Sequence, residues 1–233
     1  MIDSFVTIGR AAAPESVPYL APEELLSDMT RLGITEAYCS DYKALEYSAG
    51  EGNRLLRQNL KPFGRLHPVY VVLPGISDSS IPDNVKIVRA EPLRHGYSMA
   101  EWCSGDLWHF LESRRIPLLL DAGEQWDALH TMLTAHQELP VILTRVGYRC
   151  SRMLYPLLKI HKNLHFEISS FIVNEGVKEV SSLFGAERMI FGTDAPRTAP
   201  ESAVGTLKYA GLTDEEYSLI AFKNIQQLTG GVK

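Results

Sequence analysis

The chain has little cysteine: only Cys39, Cys103 and Cys150 occur, an odd number set far apart and without a Cys-x-x-Cys pair. That argues against a disulfide framework and a cysteine-built zinc or redox centre, and suits a reducing cytoplasm. No apolar run approaches the roughly 18 residues that a membrane helix needs. The N-terminus also lacks a basic region followed by an apolar core. These absences predict a soluble, cytoplasmic protein without a membrane partner. Basic clusters are missing too. The 23 Lys and Arg residues are dispersed among 28 Asp and Glu, for a net charge of −5, which leaves no footprint for nucleic acid. A small molecule is the expected partner; a second copy of the chain stays open, since an exposed apolar helix face would suggest a dimer. There is no low-complexity tract and no long internal repeat.

What is present is an alternation of short apolar runs with amphipathic segments, over 233 residues of which 45% are hydrophobic. That is enough to bury a sizeable core, and one domain spanning 1–233 is expected. The runs are 2–8, 34–39, 66–72, 85–90, 117–120, 141–143, 164–168 and 189–191. Most are apolar on consecutive positions, as in strands covered on both faces. Between them, Pro22 opens a helix that carries Leu25, Leu26, Met29 and Leu32 and stops at Gly33. Ser98 with Glu101, and Thr213 with Glu216, have capping-box spacing. Asn174 is placed to cap a helix with Val177, Val180 and Phe184. The stretch 40–65 is the weakest, with Gly50, Gly52 and Asn53 interrupting a pattern carried by Leu55, Leu56 and Leu60. Eight strands with intervening helices predict an α/β fold of the (β/α)8 TIM-barrel kind, somewhat shorter than the usual size of about 250 residues. A doubly wound sheet is the rival, but no Gly-x-Gly-x-x-Gly follows the first strand.

Certain stretches are more specific. They are Ile2-Asp-Ser with Ile8-Gly9, Arg89-x-x-Pro92 with His95-Gly-Tyr97, Val141-Ile-Leu-Thr-Arg-Val-Gly147, Phe191-Gly-Thr-Asp-Ala-Pro196, and the tail from Phe222-Lys-Asn224 to Leu228. In order and spacing this set resembles the amidohydrolase-related family of the metal-dependent hydrolase superfamily, over nearly the whole chain. The resemblance implies a TIM barrel and a hydrolase. In that family the first strand ends in His-x-His, histidines end the fifth and sixth strands, and an Asp ends the eighth; together they hold one or two divalent ions that activate water. Placed on this sequence, the opening histidines fall on Phe5 and Thr7, the fifth-strand position near Asp121, and the sixth on Arg145. Asp194 alone matches.

A catalytic zinc takes three protein ligands from His, Cys or carboxylate and keeps a position for water. Phe5 has no electron pair to give, Thr7 is a poor ligand, and Arg145 brings a positive charge to the cation's place. The expectation is therefore no metal and no other cofactor. His67, His109, His130, His136, His161 and His165 fall early in strands or in helical segments, away from the catalytic face.

Catalytic residues of TIM barrels come from strand C-terminal ends. Asp194 and Asp121 are the catalytic candidates: Asp194 as proton acceptor, Asp121 as a second carboxylate that pushes the two pKa values apart. Arg145 and Arg89 are substrate-binding candidates that could clamp an anion at two points, and Thr7 and Ser169 join them as hydrogen-bonding groups. Each also has a structural reading. Asp194 and Asp121 suit turns or caps, and Arg145 and Arg89 suit ion pairs with Asp194, Asp121 or Glu91. No Gly-x-Ser-x-Gly elbow occurs and no histidine adjoins Ser169 or Ser170, which argues against a serine hydrolase. Trp102, Trp108 and Trp126 read as helix packing. Three functions stay open: a metal-independent hydrolase of a small carboxylated or cyclic substrate, a barrel that has lost catalysis and binds or supports, and a divalent-metal hydrolase with an atypical carboxylate site.

Overall fold

The computed structural model describes residues 1–13, 17–75, 81, 82 and 84–232. Its strands are β1 (Ile2–Ile8), β2 (Glu36–Asp41), β3 (Leu66–Pro68), β4 (Tyr70–Val71), β5 (Val88–Ala90), β6 (Leu118–Leu120), β7 (Val141–Leu143), β8 (Leu164–Glu167) and β9 (Met189–Ile190). The helices are α1 (Pro22–Leu32), α2 (Tyr42–Glu46), α3 (Ala49–Leu60), α4 (Pro92–His95), α5 (Glu101–Ser113), α6 (Trp126–Ala135), α7 (Ser151–Ile160), α8 (Gly176–Phe184), α9 (Pro200–Lys208), α10 (Asp214–Ser218) and α11 (Asn224–Gly230).

All strand pairings are parallel, in the orders β1-β2-β3 and β4-β5-β6-β7-β8-β9. β3 and β4 are two pieces of one barrel strand, parted at Val69, whose amide still donates to Cys39 O at 2.8 Å. The last seam closes between the chain's two ends. Ser4 N donates to Phe191 O at 3.0 Å, Asp194 N to Phe5 O at 2.8 Å and Thr7 N to Ala195 O at 2.8 Å. The result is the eight-stranded TIM barrel that the apolar runs predict.

The boundaries differ from the apolar runs for local reasons. Ile34 ends the α1 turn, donating to Met29 O, so β2 starts two residues later and runs on to Asp41. Val85 closes a turn on Pro82 O, which delays β5 to Val88. Gly33 is left-handed at the end of α1, as expected, and Thr213 and Glu216 form their capping box. The Ser98 box does not form. The cap residue is Ala100 and Glu101 is the first residue of α5, so Glu101 stands two positions too early to close the box. Asn174 is likewise displaced by Glu175 at the start of α8. The stretch 40–65 holds two helices. Gly52 sits in α3 because a Cβ there would lie 2.2 Å from Ala44 N in α2.

Two main apolar layers result. One lies between strands and helices, where Trp108 is fully buried and donates Nε1–H to Met99 O; Trp102 is exposed. The other fills the barrel with Ile87, Leu119, Ile142 and Ile190, and α11 contributes Ile225 to it, closing the N-terminal end.

Candidate functional site

Side chains on a strand return to the same face every second residue. The apolar floor of Ile87, Leu119 and Ile190 is therefore followed, two and four positions on, by Arg89 and Glu91, by Asp121, and by Gly192 and Asp194. This is how an apolar barrel interior becomes charged at its C-terminal mouth.

The mouth is organised around Arg145. Its Nε donates to Asp194 Oδ2 at 3.1 Å and its Nη2 to Asp194 Oδ1 at 3.2 Å. Its Nη1 donates to Glu91 Oε1 at 3.1 Å and to Asp121 Oδ2 at 3.0 Å. Carboxylates from three loops thus converge on one guanidinium. A second cation, Arg89, lies in the barrel interior. It donates to Glu91 Oε1 at 2.9 Å, Thr7 Oγ1 at 2.8 Å and Ser40 Oγ at 3.1 Å. Arg94 extends the chain of charges outward, from Glu91 Oε2 at 2.5 Å to Glu46 Oε1 at 3.0 Å. Phe5 is buried against both inner guanidiniums, with Arg89 Cζ 4.5 Å and Arg145 Cζ 5.1 Å from its ring centre. The ring's negative face suits this.

A buried charge is costly unless paired and hydrogen-bonded. Burial alone would raise the Glu91 carboxyl, but the charges of Arg89, Arg145 and Arg94 outweigh it and hold the group well below the usual carboxylate range. Two other buried carboxyls lack a cation and behave oppositely. Burial pushes Glu167 up to about 7, against the backbone hydrogen bonds it accepts from Arg145 N and Ser169 N, each at 2.7 Å. Burial likewise pushes Asp3 up to about 7. Asp3 clasps the seam, accepting from Phe5 N at 3.1 Å, Thr193 N at 3.0 Å and the Thr193 hydroxyl at 2.6 Å.

The structure brings all six sequence-chosen residues to one end of the barrel. Arg145, Asp194 and Asp121 are joined directly. Arg89 and Thr7 are joined to them through Glu91, and Ser169 through the Glu167 carboxylate it shares with the Arg145 amide. Asp121 also keeps its turn role, accepting from Gly123 N at 3.1 Å. Glu91 and Glu167 belong to the same network although neither is among the six; both lie on the inward face at strand ends, and that position is the sequence signal that marks them. Thr144 Oγ1 is buried without a hydrogen-bond partner among the described residues, as are Tyr97 Oη and His95 Nδ1, while the Ser169 hydroxyl is buried beside the Glu167 carboxylate. Unpartnered groups of this kind are rare in folded proteins. Beside the mouth, a cleft of about 390 Å³ is lined by Glu46, Arg94 and His95.

These residues do not fit a divalent ion at the mouth. Phe5 offers no donor, Thr7 Oγ1 accepts from Arg89, and the Arg145 guanidinium stands among the carboxylates that a metal would need. The other histidines look elsewhere: His67 to Glu36, His130 to His161, His165 to Glu187 O, and His109 and His136 to Glu101.

No family model matches the chain, and no curated protein does. Solved structures do. Amidohydrolase 2 from Bifidobacterium longum subsp. infantis is 14% identical with a TM-score of 0.75, the match covering 98% of each chain. The 2,6-dihydroxybenzoate decarboxylase from Rhizobium is 12% identical with a TM-score of 0.73, again over 98% of each chain. The 5-carboxyvanillate decarboxylase from Sphingomonas paucimobilis is 11% identical with a TM-score of 0.71, over 100% of this chain and 99% of that one. At such identities the likeness is one of fold. This chain shares its barrel with these amidohydrolases and decarboxylases.

Proposed function

We propose that this chain is a divergent amidohydrolase-superfamily barrel that takes up a small carboxylated or cyclic molecule at its mouth without a resident metal, the Arg145 guanidinium replacing the divalent ion's charge. The observation that carries the reading is the convergence of Asp194, Glu91 and Asp121 on that guanidinium at 3.0 to 3.2 Å. A ring of carboxylates needs a central cation whether the cation is a metal or an arginine. The buried Thr144 hydroxyl, next to Arg145 and without a hydrogen-bond partner among the described residues, is available to a polar ligand, and the Ser169 hydroxyl lies by the Glu167 carboxylate. Binding is the step this geometry supports best, because Arg145 and Asp194 spend their polar atoms on each other.

A second reading, a metal-independent hydrolase, is favoured by Glu167. Its carboxyl, raised to about 7, is matched to acid–base work near neutral pH. In that reading Asp194 accepts a proton from water while Arg145 and Arg89 face the developing negative charge.

The test is a thermal-shift and calorimetric screen of small aliphatic and aromatic carboxylates against chelator-treated protein, followed by turnover assays on every binder. Binding that survives chelation and weakens in Ser169→Ala or Thr144→Val supports the reading. Binding that appears only when a divalent metal is restored overturns it. Hydrolysis or decarboxylation of a bound compound, lost in Glu167→Gln, would select the catalytic form.

A further inference from the structure

Outside the barrel wall, α5 and the residue that ends α6 gather two imidazoles and a carboxylate that the mouth does not use. Glu101 lies back along its own helix. Its Oε1 is 3.1 Å from His109 Nε2 and its Oε2 is 3.1 Å from His136 Nε2. One ligand atom from each of the three residues lies within 4.8 Å of the other two. The two imidazole rings meet edge to face, their centres 4.6 Å apart.

Two further features shape the cluster. Gly105 stands midway between Glu101 and His109, and a Cβ there would fall 2.4 Å from Glu101 Oε1. The glycine is the space in which the carboxylate lies, at a helix position where glycine costs stability relative to alanine. His136 is fully buried, and its Nδ1 meets Glu112 Oε2 at 2.9 Å. A carboxylate on the far nitrogen of a histidine fixes its tautomer and ring orientation and leaves Nε2 as the donor, the usual outer support of a metal-ligating histidine.

We propose that Glu101, His109 Nε2 and His136 Nε2 form a divalent-cation site of zinc class, with Glu112 as a positioning residue for His136 and Gly105 as the cradle for Glu101. Two imidazoles and one carboxylate form a donor set that zinc accepts, with a fourth position for water. Glu101 and His109 are exposed, so they can close to metal–ligand distance around the fixed His136. The site is separate from the barrel mouth and shares no residue with it.

The experiment is equilibrium dialysis of the full chain, stripped of metal, against zinc chloride, with elemental analysis and thermal melts. We expect one zinc per chain and a higher melting temperature with zinc. His109→Ala and Gly105→Ala should each weaken binding at least about tenfold, and Glu112→Gln by about tenfold or more. Because alanine favours a helix over glycine, zinc-free Gly105→Ala should melt at or above the parent temperature, which separates loss of the site from loss of the fold. The proposal is overturned if the parent binds no zinc at submillimolar concentration, or if His109→Ala and Gly105→Ala bind as the parent does.

Discussion

Arg145 holds Asp194 by both carboxylate oxygens, and both residues adopt the left-handed backbone region, at φ 57° and 53°. For residues with a Cβ this conformation costs roughly 1 to 2 kcal/mol each. The network around them offsets it: Arg145 N is fixed by Glu167 and Asp194 N by Phe5 O. The strain and the ion pair are two sides of one arrangement, because these turns swing the two side chains toward each other over Phe5.

Arg145→Met should destabilise the protein by about 3 to 5 kcal/mol, since it leaves Asp194 buried without its two-point partner and removes one of the three cations that hold Glu91. Urea unfolding measures this. Arg145→Lys should fall between, because an ammonium keeps the charge but not the fork that reaches three carboxylates. A loss below about 1 kcal/mol for the Met variant would show that the ring of carboxylates needs no central cation.

Stability should depend on pH in two opposing limbs. Glu167 and Asp3 have folded values near 7, above their unfolded values. The native state therefore holds protons that the unfolded chain has released, and their stabilising contribution is lost as pH rises from the unfolded values, 3.8 for Asp3 and 4.5 for Glu167, to about 7. Glu91 is depressed, so its contribution is present above its unfolded value and lost as pH falls below it. Unfolding free energies measured between pH 3 and 8 should peak near pH 5, and Glu167→Gln should flatten the neutral limb. A curve that rises steadily to pH 8 in both proteins would contradict the assignment.

Thr193→Val should cost about 1 to 3 kcal/mol despite its equal volume. The lost hydroxyl donates to Asp3 at 2.6 Å and accepts from Ala195 N at 3.2 Å, at the seam that closes the barrel. Hydrogen exchange checks the location: amides of Ser4, Thr7 and Asp194 should exchange faster, with those of β6 and β7 little changed.

Two glycines of α3 should respond in opposite senses. At Gly52 an added Cβ meets the backbone of Ala44 at 2.2 Å, whereas at Gly50 it meets nothing within 4 Å. Gly52→Ala should destabilise by about 1 to 3 kcal/mol or more. Gly50→Ala should stabilise by roughly 0.5 to 1 kcal/mol. Thermal denaturation of the two variants side by side decides this, and equal shifts would refute the close approach of α2 and α3.

The eight strands and the place of Asp194 at a strand end are legible in the sequence, whereas the residue types of Arg145 and Arg89 suit an anion clamp and an ion pair equally. In the fold both are paired, because Glu91, Thr7 and Asp194 stand within hydrogen-bond reach. The misplaced caps at Ser98 and Asn174 have a related cause. A three-residue spacing is necessary for a capping box, but the turn before the helix decides which residue becomes the cap.

By itself, the sequence determined a parallel sheet covered on both faces, since its strands are short runs of consecutive apolar residues separated by amphipathic helices; their number and the missing Gly-x-Gly-x-x-Gly turn favoured the barrel over an open sheet. It also determined what Phe5, Thr7 and Arg145 can and cannot donate to a ligand, because donor capacity belongs to a side chain wherever it stands. Only the tertiary structure decided that Asp194, Glu91 and Asp121 share one guanidinium, that Glu167 and Asp3 titrate near neutrality, and that Glu101 reaches His109 and His136. Those properties depend on distance and burial between residues far apart in the chain, and the closing of the barrel sets both.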